Sequence, residues 1–550
     1  MINGISLKNA IISGANNIAN HKKEIDSLNI FPVPDGDTGT NMTMTILTAV
    51  TELQNLENPT VSQVADKTAC AMLRGARGNS GVILSILFRG LAKGLSDKVE
   101  ATGKDLSDAL GIGVQDAYNA VMKPTEGTIL TVARRAYEVS KNAAAISDKH
   151  IYIWNTICSA ANEALQTTPE LLPVLKKAGV VDAGGKGLCC IFDGMQEYIV
   201  NGNIIESKED LSNPENNDDY FRNAAAEFDD VINFTYCTEF IVGRNQDITT
   251  QPSELRAYLE TIGDCVVVVY DDEIIKVHVH TENPGNALQK GLTYGSLLTV
   301  KIENMKEQHR KAKENNITNK SEQPEFAEPI NEIGFVSVAA GEGIENLFKG
   351  LGCYEIIKGG QSMNPSTDDI YNAVMATPAK KVIVLPNNKN VIMAAEQAVP
   401  LAKDREVYVL PTKTIPQGIS ALLTYDSDID LRENLILMTE AISNVKTGQV
   451  TFAARDSEFG STKINKDDII ALENGKLILK SKDPVKAVVK LTKEMVTKDT
   501  AFITIIYGNG ITEEQANIAY ENIKSKLGNH IDISLIEGKQ PIYYFIVSVE

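Results

Sequence analysis

Apolar residues recur at i, i+3 and i+4 in Ala-rich stretches near 5–27, 41–55, 60–73, 81–95, 105–122, 128–147, 151–166 and 186–201. That spacing lays one apolar stripe along each stretch and predicts eight helices. None of these stretches alternates with a period of two. The expected architecture is an all-α, eight-helix antiparallel bundle or barrel. The period then changes. FTYCTEFIV (234–242) reads as a strand, SELRAYLETIG (253–263) as a helix, and DCVVVVYDDEIIKVHVHT (264–281) as two strands around a turn. PGNALQKGL (284–292) and SLLTVKIE (296–303) add a helix and a strand. The order β-α-β-β-α-β predicts an α+β, ferredoxin-like middle domain. From FVSVA onward strands and helices alternate through KKVIVLP (380–386), EVYVLP (406–411), AFITIIYG (501–508), EEQANIAYENIKSKL (513–527) and IDISLI (531–536). That pattern predicts a doubly wound α/β domain. Residues 205–219 and 306–330 carry neither period and are rich in charge and amides. They read as linkers, dividing the chain into 1–204, 220–305 and 331–550.

Charge narrows the classes. The 550 residues include 53 Lys and Arg against 72 Asp and Glu, a net charge of −19. A surface this acidic repels phosphate backbones, and the short KEQHRKAK run (306–313) is no basic patch, so no nucleic-acid partner is expected. Seven cysteines without regular spacing, two of them adjacent at Cys189 and Cys190, point to a reducing compartment. The first residues lack a signal-peptide pattern, and VILSILF (82–88) is far short of the ~20 residues of a membrane span. A soluble, cytoplasmic protein with no transmembrane segment is expected.

Four short strings in the helical region could carry chemistry. NIFPVPDGDTGTNMTMT (29–45) sets Asp35 and Asp37 on a Gly-containing loop before a helix expected from about Thr40. Two close carboxylates suit Mg²⁺, and a helix start favours anions. The plain alternative is a turn that caps a helix. LRGARGNSGVILS (73–85) offers Asn79, Ser80 and Gly81 at a helix start, a phosphate cradle or an ordinary Ser80 cap. GTILTVARRA (127–136) places Thr128 in the same role. VVDAGGKGL (180–188) resembles a P-loop but Gly187 follows Lys186 and no strand precedes it, so it is not one. Its Asp182 loop could still pack on a nucleotide.

D-G-D-T-G-T-N followed by N-S-G and D-A-G-G in an all-helical domain resembles the ATP-binding subunit of dihydroxyacetone kinase, the DAK2 type. The whole chain, with its FPVPDGDTGTNM start, resembles the catalytic, ATP-binding subunit of bacterial fatty acid kinase more closely. The resemblance implies ATP and Mg²⁺ as cofactors. It assigns Asp35 and Asp37 to the metal, and Thr38, Asn41, Asn79, Ser80, Gly81, Thr128 and Asp182 to nucleotide and phosphate. Thr38 stands where the dihydroxyacetone kinase pattern has His. Asn29 stands nearest the position of a further upstream Asp, which leaves the third metal ligand open. The implied reaction is phosphorylation of a fatty acid, presented by a separate fatty-acid-binding DegV-type protein, to an acyl phosphate for phospholipid synthesis. A homodimer is left open.

In the middle region His278 and His280 stand at i and i+2 on a strand, and Cys237 on another. One thiolate and two imidazoles suit Zn²⁺, with Glu239 or water as a fourth ligand. Two ordinary histidines on a solvated strand face are the alternative, and the fatty acid kinase resemblance, which carries a Cys/His/His site here, favours zinc. KGGQSMNPSTDDI (358–370) and LPNNKN (385–390) lie at strand-to-helix junctions, with a Ser366/Asp369 capping-box pattern. The C-terminal domain resembles the DegV family in fold but lacks its D-S-[TS] segment, so a docking role is expected. Competing readings are a nucleotide-binding regulator without turnover, a dihydroxyacetone-type small-molecule kinase, and a zinc hydrolase.

Overall fold

The computed structural model describes residues 1–29, 36–121, 123–207, 236–244, 252–270, 274–304, 326–360, 363–454, 456–459, 462–528 and 530–550. Its residues form two compact units, Met1–Glu209 with Phe326–Glu550, and Asp210–Glu325. The N-terminal part is helix-rich: α1 (Gly4–Ser27), α2 (Thr38–Gln54), α3 (Val61–Gly75), α4 (Gly78–Gly94), α5 (Gly103–Ala120), α6 (Ile129–Ala144), α7 (His150–Leu171), α8 (Pro173–Ala178) and α9 (Ala183–Asn201). Only α8 was not expected, because six residues are too few to show a period, and Pro173 opens it. A two-residue antiparallel pair, β1 (Ile2–Asn3) with β2 (Glu100–Ala101), ties the chain start to the turn before α5.

Local chemistry fixes the ends. Thr60 and Gln63 form a complete capping box on α3, and Thr102 and Asp105 form another on α5. The apolar stripes meet in a core that includes Ile18, Ile46, Met72, Leu84, Val132, Ile157 and Leu188. Trp154 of α7 meets Phe192 of α9 edge-on, with ring centroids 5.7 Å apart, and its indole N–H donates to the Phe192 carbonyl. Helices α4 and α5 cross in near contact. A Cβ on Gly90 would lie 2.2 Å from the Gly113 Cα.

The Asp210–Glu325 unit contains β3 (Tyr236–Arg244), a helix at Pro252–Ile262, β4 (Gly263–Tyr270), β5 (Ile274–Thr281), a helix at Pro284–Leu292 and β6 (Gly295–Asn304). Its strands lie in the order β4-β5-β3-β6, every neighbouring pair antiparallel. Phe240, Val242, Ile275, Val277 and Val279 pack with Leu255, Leu259 and Ala287 of the two helices.

The C-terminal region holds a parallel sheet of β7 (Asn331–Ala339), β8 (Cys353–Lys358), β9 (Ala379–Leu385) and β10 (Glu406–Val409), ordered β10-β9-β7-β8. The alternation expected beyond it gives a different sheet. β11 (Lys446–Phe452), β14 (Ile469–Glu473), β15 (Lys476–Ser481), β16 (Phe502–Tyr507), β17 (Asp532–Glu537) and β18 (Phe545–Val549) are ordered β15-β14-β11-β18-β16-β17, and only β16–β17 is parallel. A short hairpin pairs β12 (Ser457–Phe459) with β13 (Thr462–Ile464). The doubly wound expectation therefore holds for the first sheet and not for the second. β16 and β17 fall on the expected AFITIIYG and IDISLI strands, whereas β11, β14, β15 and β18 were not expected, and in KTGQVTF of β11 polar residues mask the period. No helix among the described residues is long and apolar enough to cross a membrane.

Candidate active site

A cleft of about 320 Å³ opens where several helices of the N-terminal part begin. It is lined by Thr38, the first residue of α2; Ser80, in the first turn of α4; Thr128, which caps α6; and Asp182, which caps α9. Four strings spread over about 150 residues thus contribute to one surface. Each helix start brings the positive end of its peptide dipoles, so the cleft favours an anion despite the net charge of −19.

The helix starts differ in whether their amides are free. The end of α1 takes those of α2. In the orientation that satisfies both ends of its amide, Asn29 accepts from the backbone N–H groups of Asp37 (3.1 Å) and Thr38 (3.3 Å) and donates to Thr38 Oγ1 (3.0 Å). Asp26 accepts from the Thr40 N–H at 3.1 Å and the Thr40 hydroxyl at 2.8 Å, and from the Gly39 N–H. All four leading amides of α2 are therefore satisfied by side chains, so this helix start is not the anion cradle its sequence suggested. Burial outweighs these bonds and raises the Asp26 pKa.

Asp182 does the same for two helices. It accepts from the Gly185 N–H at 2.7 Å and from the Ile129 N–H at the start of α6. Burial dominates here too, pushing its pKa up to about 6 against the lowering effect of those two bonds. Thr128 Oγ1 accepts from the Leu130 N–H. At α4 the N-cap residue Arg77 makes no side-chain cap bond, as Asp37 makes none at α2, and its own N–H donates to Thr45 Oγ1 at 3.2 Å. Ser80, expected as a possible cap, lies inside the first turn, since the helix begins two residues earlier at Gly78. Ser80, in the first turn of α4, therefore reaches the cleft from a helix start whose N-cap residue makes no side-chain cap bond, an arrangement that favours anions.

The remaining expected residues sit behind this surface. Asn41 is buried against Gly78, whose φ of +57° and close approach leave no room for a side chain: a Cβ there would lie 2.5 Å from Asn41 Nδ2. Gly81 packs on Thr45, with a Cβ position 2.3 Å from its hydroxyl. Asn79 Nδ2 donates to Asn390 Oδ1 at 3.5 Å, while Asn79 Oδ1 is buried without a partner among the described residues. Asp37 Oδ2 accepts from Asn364 Nδ2 at 2.6 Å. Asp35 lies outside the described residues.

Two lining residues, Lys123 and Thr125, carry no motif signal. Their loop is shaped by Glu126, which accepts from Tyr118 Oη (2.9 Å), Thr131 Oγ1 (2.6 Å) and Arg134 Nη2 (2.8 Å). The available cue was a Lys just ahead of an ordered helix start.

Sequence comparison places this site in a family. The chain matches a DAK2 domain over residues 32–197, the FakA-like middle domain of fatty acid kinase over 233–312, and the FakA-like C-terminal domain of fatty acid kinase over 334–550. Uncharacterized proteins of Staphylococcus aureus strains USA300 and N315 are each 40% identical over all of this chain and 99% of their own length. The chain belongs to the FakA-like family of fatty acid kinase subunits. These matches support a kinase. Among solved structures, a DegV family protein from Corynebacterium glutamicum aligns with 40% of this chain and 96% of its own, at 14% identity and a TM-score of 0.32. A fatty-acid-binding DegV family protein from Thermus thermophilus gives 14% identity over 40% of this chain and 99% of its own, with a TM-score of 0.31. The dihydroxyacetone kinase of C. freundii, in complex with AMP-PNP and Mg²⁺, gives 17% identity over 35% of this chain and 33% of its own, with a TM-score of 0.28. Scores this low do not establish a shared fold.

In the middle unit of this kinase-family chain, the β3–β5 register sets Cys237 opposite His280 and Glu239 opposite His278. The side chains of Cys237, His278 and His280 lie outside the described residues. Among the described residues no group of three or more His, Cys, Asp or Glu could hold a metal ion. The Ser366/Asp369 capping box is formed in full.

Proposed function

We propose that this protein is the ATP-binding catalytic subunit of a fatty acid kinase. It transfers the γ-phosphoryl group of Mg·ATP to a fatty acid carboxylate held by a separate DegV-type lipid-binding protein. A carboxylate oxygen forms a bond to the γ-phosphorus, the bond to the β–γ bridging oxygen breaks, and acyl phosphate and ADP result. The observation that carries this reading is the gathering of Thr38, Ser80, Thr128 and Asp182 at four helix starts around one cleft, with no side-chain cap bond from Arg77 at the start of α4.

The first turn of α4 would bind phosphate oxygens at Ser80, with Asn79 and Gly81 shaping that turn from behind, and Thr38 and Thr128 would orient the nucleotide. Asn41 would support the Gly78 turn. Hard carboxylate oxygens and hydroxyls are the donors Mg²⁺ prefers, so Asp37, with Asp35, would hold it. When bound, the metal neutralises phosphate charge. The acceptor is ionised at neutral pH, so the chain need supply no strong general base, and positioning can carry the transfer. In this reading residues 1–204 are the kinase domain with an eight-helix barrel. Residues 220–305 are a ferredoxin-like domain holding one Zn²⁺ through Cys237, His278 and His280, and 331–550 a DegV-like docking domain. The site of action is the cytoplasm.

Incubation with Mg·ATP, a fatty acid and a lipid-loaded DegV-type partner should yield acyl phosphate. Asp35→Asn and Asp37→Asn should each lower kcat by at least about a hundredfold, the scale of a lost electrostatic contact to the transition state, with an unchanged melting curve. Wild-type kcat in either variant would remove these carboxylates from the metal site.

A further inference from the structure

The two C-terminal strand–helix junctions singled out by sequence both reach the kinase site. Asn390 of LPNNKN accepts from Asn79, and Asn364 of the KGGQSMNPSTDDI string donates from Nδ2 to Asp37 Oδ2 at 2.6 Å. Asn364 is only 1% exposed, and its Oδ1 is buried with no partner among the described residues. A polar side chain is rarely left so buried and half-satisfied without a role.

Its backbone is clamped from the helical side. Arg77 Nη1 donates to the Asn364 carbonyl at 2.9 Å and lies 3.6 Å from Asp369 Oδ2. The Thr367 N–H donates to the Ala76 carbonyl at 3.1 Å, and Arg77 and Ser366 form an isolated antiparallel bridge. The Gly78 turn packs against this amide, a Cβ position on Gly78 lying in ordinary contact at 3.4 Å from Asn364 Nδ2. Arg77, Gly78 and Asn364 thus form one unit between the phosphate-facing turn and the Asp37 carboxylate.

We propose that Asn364, carried by the C-terminal region, is a positioning residue for Asp37. It fixes the rotation of the carboxylate through one oxygen so that the group is presented to the metal in a single orientation. The inference rests on the reading of Asp37 as a metal ligand. Partners that orient a metal ligand in this way typically change metal affinity by about 10- to 100-fold when removed.

The test uses the full-length protein with Mn²⁺ in place of Mg²⁺, reading free Mn²⁺ by electron paramagnetic resonance in the presence of saturating ADP. Asn364→Leu, with the same number of side-chain heavy atoms but no donor, should raise the Mn²⁺ dissociation constant about tenfold and leave metal-free ADP affinity unchanged. Asn364→Ser, too short to reach Asp37, should give the same loss and decides the matter if the Leu variant does not fold. Gln397→Ala removes a contact to Arg89 elsewhere in the same interface and should bind Mn²⁺ as wild type does. Wild-type Mn²⁺ affinity in the Asn364 variants, alongside a clear loss in Asp37→Asn, would overturn the positioning role alone. An equal loss in Gln397→Ala would overturn it too, because docking and not Asn364 would then matter. Wild-type Mn²⁺ affinity in Asp37→Asn would overturn the metal assignment and this inference with it.

Discussion

Asp182 carries the most informative ionisation in the cleft. Its carboxylate closes the starts of α6 and α9, yet burial lifts its pKa from 3.8 to about 6. The folded protein holds this proton more tightly than the unfolded chain does. The stabilising contribution is therefore fully present below about pH 3.8 and is lost as pH rises through about 6. The same titration acts on ligands. Above about pH 6 the carboxylate is charged and repels a phosphate in the cleft, whereas below it the neutral acid does not. Metal-free ADP should bind wild type several-fold more weakly than Asp182→Asn at pH 7.5, and the two affinities should converge below pH 6. Taking their ratio cancels the nucleotide's own titration. A ratio that is flat with pH, measured by calorimetry, would show that Asp182 does not face the phosphates.

At the scale of elements, the site depends on how closely helices approach. Helices α4 and α5 meet through Gly90 and Gly113, and the first turn of α4 brings Ser80 to the cleft. A methyl at Gly90 would sit 2.2 Å from the Gly113 Cα, against backbone that cannot rotate aside. Gly90→Ala should therefore cost about 1–3 kcal/mol, the range of an overpacked core, despite the better helix propensity of Ala. Its melting temperature should drop, and ADP affinity should fall as α4 shifts. An unchanged melting temperature would mean that the helices separate freely. The element pattern itself was legible in the sequence for the N-terminal part, because helix periods and capping boxes such as Thr60/Gln63 are written within a few residues. It was less legible after 446, where β11 pairs with β18 at Lys446↔Val549, about a hundred residues away. Burial there is set by a distant partner and leaves no local period.

Across the whole molecule, the N-terminal helices and the C-terminal region belong to one compact unit, and part of the C-terminal region shares the core of the helices. Ile370, Val374, Ala394 and Ala395 of the C-terminal helices join the cluster of the N-terminal helices. The middle unit folds about its own core, Phe240 and Val277 included. Its proposed zinc should therefore be separable from nucleotide binding. Elemental analysis should give about one zinc per chain, lost in His278→Ala/His280→Ala, with ADP affinity unchanged. A double variant that keeps its zinc would rule out these ligands. Zinc binding should weaken at acid pH, since thiolate and imidazole must lose their protons.

By itself the sequence determined the helices of the first two hundred residues except the short α8, the family resemblance, and Thr38, Ser80, Thr128 and Asp182 among the residues that line the cleft. Caps, glycine turns and carboxylate pairs are chemistry between near neighbours, so they can be read in order along the chain. Only the tertiary structure decided which side chains take the amides at each helix start. Asn29 and Asp26 take amides of α2 and Asp182 those at α6 and α9, whereas Arg77 at the start of α4 makes no side-chain cap bond. It also brought Asn364 onto Asp37 across 327 residues. A hydrogen bond of that kind has no period and no spacing. It exists because two packed regions place a donor and a carboxylate within reach, which is a property of the fold rather than of any stretch of the chain.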